Sequence, residues 1–428
     1  MKTLMPTRYA VRTTVFESGE RMPMLIKTDT GLPVFDACVY ATSAIRPGSG
    51  SAATIEQALR GVQILLTFTD QRKIDLHQRF ASGEFLDIHE LDDLVRAAYS
   101  FLAPKGDKEP SEAAAAPKII PIEKARRRAP KANAESAVAT STVAIRLYYA
   151  HTYLEWLGQR TAKNVCTTLE QRTSYMDLLR EFLANLRNRT PKARSGSDRL
   201  SLTPAEREKL LSVIDPASPE NPWTGDFIRD RNRLLVMWGM GTGLRRGELL
   251  SLHIKLIQFQ HYLADIVRQH DSKNDPRKYQ ANPKTRERSI GISKALAHMT
   301  HEHVVKYRSK LRSKHDFLFV ADTGAPLSLA AFSKVYRMLR KKHPDVGKQL
   351  SSHVLRHTWN EDFSEIADKA GISEEDERRG RIHAMGWSDT SKSAEDYLKR
   401  RTRRVATEAS VKIQQAVIDK SKGETHDA

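Results

Sequence analysis

The chain of 428 residues carries 70 Lys and Arg against 52 Asp and Glu, a formal charge of +18 at pH 7. That balance excludes the usual acidic enzyme surface and makes a polyanion the partner to expect, because such a surface concentrates phosphate around itself. Two cysteines, Cys38 and Cys166, are too few for a disulfide framework or a cysteine-based zinc site. With no apolar leader and no membrane-length apolar run, the expectation is a soluble, cytoplasmic protein.

Residues 1–48 read as a strand- and turn-rich arm, from Leu25-Ile26, Gly31-Leu32-Pro33 and Val39-Tyr40. From 49 to 195 the pattern turns helical. Ile55, Leu59, Val62 and Leu66 follow helical spacing, as do Ile145, Tyr149, Thr152 and Trp156, so both stretches are expected to bury these stripes in one helical domain. Trp156 and the nearby Tyr148, Tyr149 and Tyr153 are read as packing residues first and as base-stacking residues second. Between the stretches, 101–136 holds five prolines, an Ala run and the basic cluster Lys124, Arg126, Arg127, Arg128 and Lys131. Such a composition predicts a flexible, positively charged linker.

A second basic break covers 186–200. Directly after it, Thr203-Pro204-Ala205-Glu206 supplies an N-cap Thr, Pro at the first helical position and Glu at the third, which predicts a helix start and a new domain over 200–405. Within that domain, Met240-Gly241-Thr242-Gly243-Leu244-Arg245-Arg246-Gly247-Glu248 follows an apolar helix. Its glycines break the helix, and a second helix restarts near Arg246. Leu263–Arg268 and 288–292 read as strands, with Ile290 and Ile292 alternating and Lys273, Lys278 and Lys284 between them. His298, His301 and His303 fall in a charged helical run and are expected to be solvated, with no metal partner at zinc spacing. There is no Gly-rich loop ending in Lys-Ser/Thr, so no nucleotide is implied. Further on come His353-Val354-Leu355-Arg356-His357, with His353 and Arg356 on one helix face, then Met385-Gly386-Trp387, then Tyr397 ahead of a run of Lys and Arg.

Each piece is modest alone, but their order is specific. Gly-Thr-Gly-Leu-Arg-x-x-Glu-Leu, His-x-x-Arg-His, Gly-Trp and Tyr, over roughly 200–405, resemble the catalytic domain of the tyrosine recombinase (phage integrase) family. The resemblance implies a mainly α fold with a small antiparallel β-sheet (α+β). A helical core-binding domain that clamps the other face of DNA would precede it, here 49–195. It further implies site-specific cutting and rejoining of double-stranded DNA for integration or excision of a mobile element, without metal or cofactor. The assembly would be a homotetramer, with a helix in 406–428 docking onto a neighbour.

Carried over to this sequence, Tyr397 would attack the scissile phosphate and form a 3′-phosphotyrosyl link. Arg245 and Arg356 would hold the non-bridging oxygens, where charge builds in the transition state. His353 and Trp387 would complete the pocket, and Glu248 would orient Arg245. Lys284 best matches the lysine that protonates the leaving 5′-oxygen, with Lys273 and Lys278 open as alternatives. The stretch from Arg356 to Trp387 is longer than usual and holds the charged insertion Glu374–Arg381, which leaves His383 as a second candidate for the position given to Trp387. Other classes compatible with these residues are a type IB topoisomerase and a non-enzymatic DNA-binding accessory protein on the same scaffold.

Overall fold

A computed structural model describes residues 4–48, 51–104, 137–192, 201–268, 271–281, 285–391 and 406–419. Two compact units divide the chain, Met1–Gly196 and Ser197–Ala428.

In the first unit, helix α2 (Ala52–Arg72) is the centre. Ile55, Leu59 and Val62 are buried as their spacing predicts, but so are Ala58, Ile64, Leu65 and Phe68. A helix apolar on most of its circumference needs cover on most sides. It is covered by α5 (Thr140–Val165) and by the antiparallel hairpin of β2 (Tyr9–Val15) and β3 (Arg21–Lys27). Strand β1 (Leu4–Thr7) pairs in parallel with β4 (Phe101–Pro104), so the first residues assigned to the linker are strand; 105–136 lie outside the described residues. Met5, Tyr9, Met22 and Leu25 share one core with the helices, across the boundary expected at 48.

Two readings need correction. Val39-Tyr40, expected as a strand, end helix α1 (Phe35–Tyr40), because Ala37, Tyr40 and Ala41 fall at i, i+3 and i+4 and are buried together. On α5 the buried face is Val143, Leu147, Ala150, Leu154 and Leu157. Ile145 is exposed, and Tyr149, Thr152 and Trp156 lie on the flank of that face. Trp156 stacks on buried Tyr153 with ring centroids 5.8 Å apart, so the packing role holds. The unit is completed by α3 (Leu76–Ser82), α4 (Ile88–Ala98) and α6 (Leu169–Arg189).

The second unit opens as its sequence predicts. Helix α7 (Pro204–Ile214) starts with the capping box, Thr203 Oγ1 accepting from Glu206 N at 3.2 Å and Glu206 Oε2 from Thr203 N at 2.9 Å. Its core is built on α8 (Asp226–Thr242), which packs against α10 (Lys294–Lys306) and α12 (Ser352–Lys369). Buried Trp238 of α8 donates its indole N–H to Thr300 Oγ1 of α10 at 3.0 Å, so the largest core side chain leaves no orphan donor. The short α9 (Arg246–Leu250) leads into an antiparallel sheet of order β5–β6–β7, formed by Ile257–Gln258, Leu263–Ile266 and Arg288–Gly291. Ala264, Ile266 and Ile290 turn inward on alternate positions. Helix α11 (Leu329–Lys342) closes the core, and α13 (Glu374–Met385) carries the chain back toward the site. Residues 406–419 form α14, the last helix among the described residues, with Val411, Ile413 and Val417 exposed. Among the described residues, no helix is long and apolar enough to cross a membrane.

Candidate active site

The site begins where α8 stops. Gly243 closes that helix in the left-handed conformation, φ +62°. A β-carbon there would stand 3.0 Å from both the Met385 methyl and the Trp359 ring, so the left-handed conformation favours Gly and the space around it is tight. Two residues on, Arg245 caps α9 in an extended conformation. Glu248, three residues further, accepts the Arg245 backbone N–H on Oε2 at 2.7 Å. The Arg245 side chain, half-buried, donates from Nη1 to the Met385 carbonyl at 3.3 Å.

Arg356 arrives from α12 and is buried. Its Nη1 donates to the Gly243 carbonyl at 2.7 Å, and its guanidinium lies over the Trp387 ring, 5.4 Å from the centroid. Both arginines are therefore tied to the same two chain reversals, the Gly243 turn and the Met385-Gly386-Trp387 turn. Trp387 is buried in a cluster with Ile382 and Met385. His383, by contrast, is exposed in the last turn of α13. His353 is exposed one helical turn before Arg356.

Behind the arginines lies a buried charge cluster. Glu248 Oε1 receives Arg288 Nη1 at 2.9 Å and the Thr285 hydroxyl, and both charged side chains are almost fully buried. Burial alone would push the Glu248 carboxyl up, but the Arg288 charge and the hydrogen bonds from Arg288, Thr285 and Arg245 outweigh it and hold the group below the usual Glu value. Gly386, at φ +63°, lets the Trp387 turn sit directly on this cluster, and its carbonyl accepts Arg286 N at 2.9 Å. Arg286, Arg378, Arg379 and His383 line a cleft beside Trp387, with Asp389 at its edge.

The three lysines between β6 and β7 differ in setting. Lys273 and Lys278 are exposed. Their loop is anchored by the buried pair Asp275–Arg277, whose Arg277 also donates to the Leu250 and Leu327 carbonyls at 3.0 and 3.2 Å. Lys284 and Tyr397, together with the basic run after Tyr397, lie outside the described residues. In sequence, Lys284 immediately precedes Thr285, which binds Glu248.

Several residues at the site were not singled out from the sequence. Trp359 lies one turn beyond Arg356; its indole N–H donates to the Gly241 carbonyl at 3.1 Å and its ring stacks on Phe363. Within the charged insertion Glu374–Arg381, Glu377 and Arg381 are buried and the other residues are exposed or half-buried. Arg381 is fully buried, paired with buried Glu377 and donating to the Asn360 carbonyl at 2.8 Å, and this fastens α13 to α12. His303 also departs from expectation: it is buried between Phe227 and Tyr307 with Nδ1 2.6 Å from Asp230, while His298 and His301 are exposed. Arg288 had a readable signal, since continuing the Ile290 and Ile292 alternation back by two places puts it on the buried face.

Residues 201–369 match the phage integrase family. Tyrosine recombinase XerD of Halalkalibacterium halodurans is 29% identical over 161 residues, which is 37% of this chain and 46% of that protein. The chain thus spans about half the length of that curated relative. Among solved structures, XerA recombinase is similar at 18% identity over 61% of this chain and 82% of that one, with a TM-score of 0.35. The Tn1549 transposon integrase in complex with circular intermediate DNA is similar at 17% identity over 61% and 75%, with a TM-score of 0.41.

Proposed function

We propose that this protein is a site-specific DNA recombinase that cuts and rejoins strands through a 3′-phosphotyrosyl intermediate, for integration or excision of a mobile element. The observation that carries the reading is the convergence of Arg245 and Arg356 on one corner, with Trp387 over Arg356. Two permanent cations held by backbone carbonyls, on elements far apart in sequence, suit a phosphate whose two non-bridging oxygens gain charge in the transition state. Tyr397 loses its phenolic proton to solvent and attacks phosphorus, the bond to the 5′-oxygen breaks, and that oxygen takes a proton from Lys284. The new ester keeps the energy of the old one, so the reverse attack by a 5′-hydroxyl reseals the strand.

His353 and Trp387 complete the pocket. The buried contact of Trp387 with Arg356, against the exposure of His383, supports Trp387 in the third position. The tie of Thr285 to Glu248 supports Lys284 over Lys273 and Lys278. The substrate is double-stranded DNA in the cytoplasm, the working assembly is a homotetramer, and the first unit grips the same duplex. A nicked suicide substrate tests the reading, because loss of a short strand after cleavage traps the enzyme on DNA. A covalent adduct formed by the wild type and lost in Tyr397→Phe is the expected result. No adduct under any salt or pH condition sinks it.

A further inference from the structure

We propose that Arg288 is a positioning residue for the reaction, setting the Arg245 corner through Glu248. The proposal rests on the recombinase reading above. Arg288 reaches three segments at once: Nη1 to Glu248 Oε1 at 2.9 Å and to Thr285 Oγ1 at 3.3 Å, and Nε to the Ala384 carbonyl at 2.8 Å. Glu248 uses its other oxygen, Oε2, to fix the Arg245 backbone at 2.7 Å. The Ala384 contact adjoins the Met385 carbonyl that receives the Arg245 side chain. One guanidinium therefore bears on both ends of Arg245, its backbone through Glu248 and its tip through the 384–385 backbone.

Two arguments favour geometry over bulk stability as the role of this pair. A buried ion pair costs desolvation on both sides and is often no more stabilising than apolar residues of the same volume. Arg288 is also caged: a β-carbon on Gly386 would stand 2.5 Å from Nη1. Glycine at 386, which its left-handed φ already favours, leaves room for the guanidinium. A lysine at 288 carries the charge but has no planar fork to reach Glu248 and Ala384 together.

The test compares two suicide substrates. One has an ordinary scissile phosphate; the other has a methylphosphonate, in which a methyl group replaces one charged non-bridging oxygen and less charge needs to be held. If Arg288 acts through Arg245, Arg288→Gln slows adduct formation on the phosphate by about 10²-fold, the scale of losing one preorganised transition-state donor. Its loss on the methylphosphonate is far smaller, the selectivity also expected of Arg245→Ala. Arg288→Lys falls between wild type and Arg288→Gln. A general structural defect slows both substrates alike, and that result, or no slowing on either, overturns the proposal. Should Arg288→Gln fail to fold, Thr285→Val carries the test, since it removes a neutral donor to the same Glu248 oxygen; a smaller loss with the same selectivity is expected, and an unselective one refutes. Absence of any wild-type adduct sinks the functional reading and the proposal with it, whereas a wild-type adduct with unselective variants sinks the proposal alone.

Discussion

Gly386→Ala is the sharpest test of how the Trp387 turn is held, because a matched control exists in the same unit. Gly386 and Gly371 have nearly the same conformation, φ +63° and +65°. A methyl group at 371 meets nothing within 4 Å, whereas at 386 it meets Arg288 Nη1 at 2.5 Å, Thr285 Cβ at 2.9 Å and the Arg286 carbonyl at 3.0 Å. Left-handed backbone costs about 1–2 kcal/mol for a residue with a β-carbon, and both variants bear it. Only Gly386→Ala adds overpacking, about 1–3 kcal/mol, against neighbours that are either backbone or locked in hydrogen bonds. The sums are about 1–2 kcal/mol for Gly371→Ala and about 2–5 kcal/mol for Gly386→Ala. In a unit of this size each kcal/mol lowers the midpoint by about 2–4 °C. Thermal unfolding of the two variants beside the wild type measures the difference directly. Equal midpoints for the two alanines would refute the packing argument and leave only the backbone cost.

Other outcomes follow from the buried charges and the proposed chemistry. Arg381→Met strands Glu377 inside the protein and is expected to cost about 3–5 kcal/mol, most of which Glu377→Met in the same chain restores; urea midpoints decide it. Glu248 has its carboxyl held below its unfolded value of about 4.3. Its stabilising contribution is therefore complete above that pH and fades as pH falls through the lower folded value. Acid unfolding of Glu248→Gln should accordingly show a shallower pH slope below about pH 4 than the wild type; identical slopes would mean that the pair does not couple to protons. Tyr397→Phe should abolish the covalent adduct while DNA binding, followed by gel shift, survives.

The ordered motifs made the second unit legible because each marks a chain reversal or a charge whose place follows from local rules. Gly243 had to end a helix, Thr203 had to begin one, and the Ile290 pattern had to face inward. Arg245, Arg356 and Trp387, spread across that unit, do meet. Hidden from the sequence was the burial of charges under segments distant in the chain. Nothing local shows that Ser364 and Asn360 lie under Glu377 and Arg381. The same holds for Asp275–Arg277, and for His303, whose partner Asp230 comes from another helix. Helix faces were also misplaced where two stripes competed: on α5 the Ile145 stripe and the Val143–Leu147 stripe are both apolar, and only the approach of α2 selects the second.

The neck at Tyr99 and Val138 bears on how this protein can be altered. Val138 N donates to the Tyr99 carbonyl at 3.0 Å, and Arg146 Nη1 clasps the Ala98 and Ser100 carbonyls at 2.8 Å each. The described chain on either side of 105–136 is thus drawn together. Closing a loop costs free energy only with the logarithm of its length, about 0.6 kcal/mol for each doubling. Lengthening the chain between these two held ends is therefore expected to cost the first unit little.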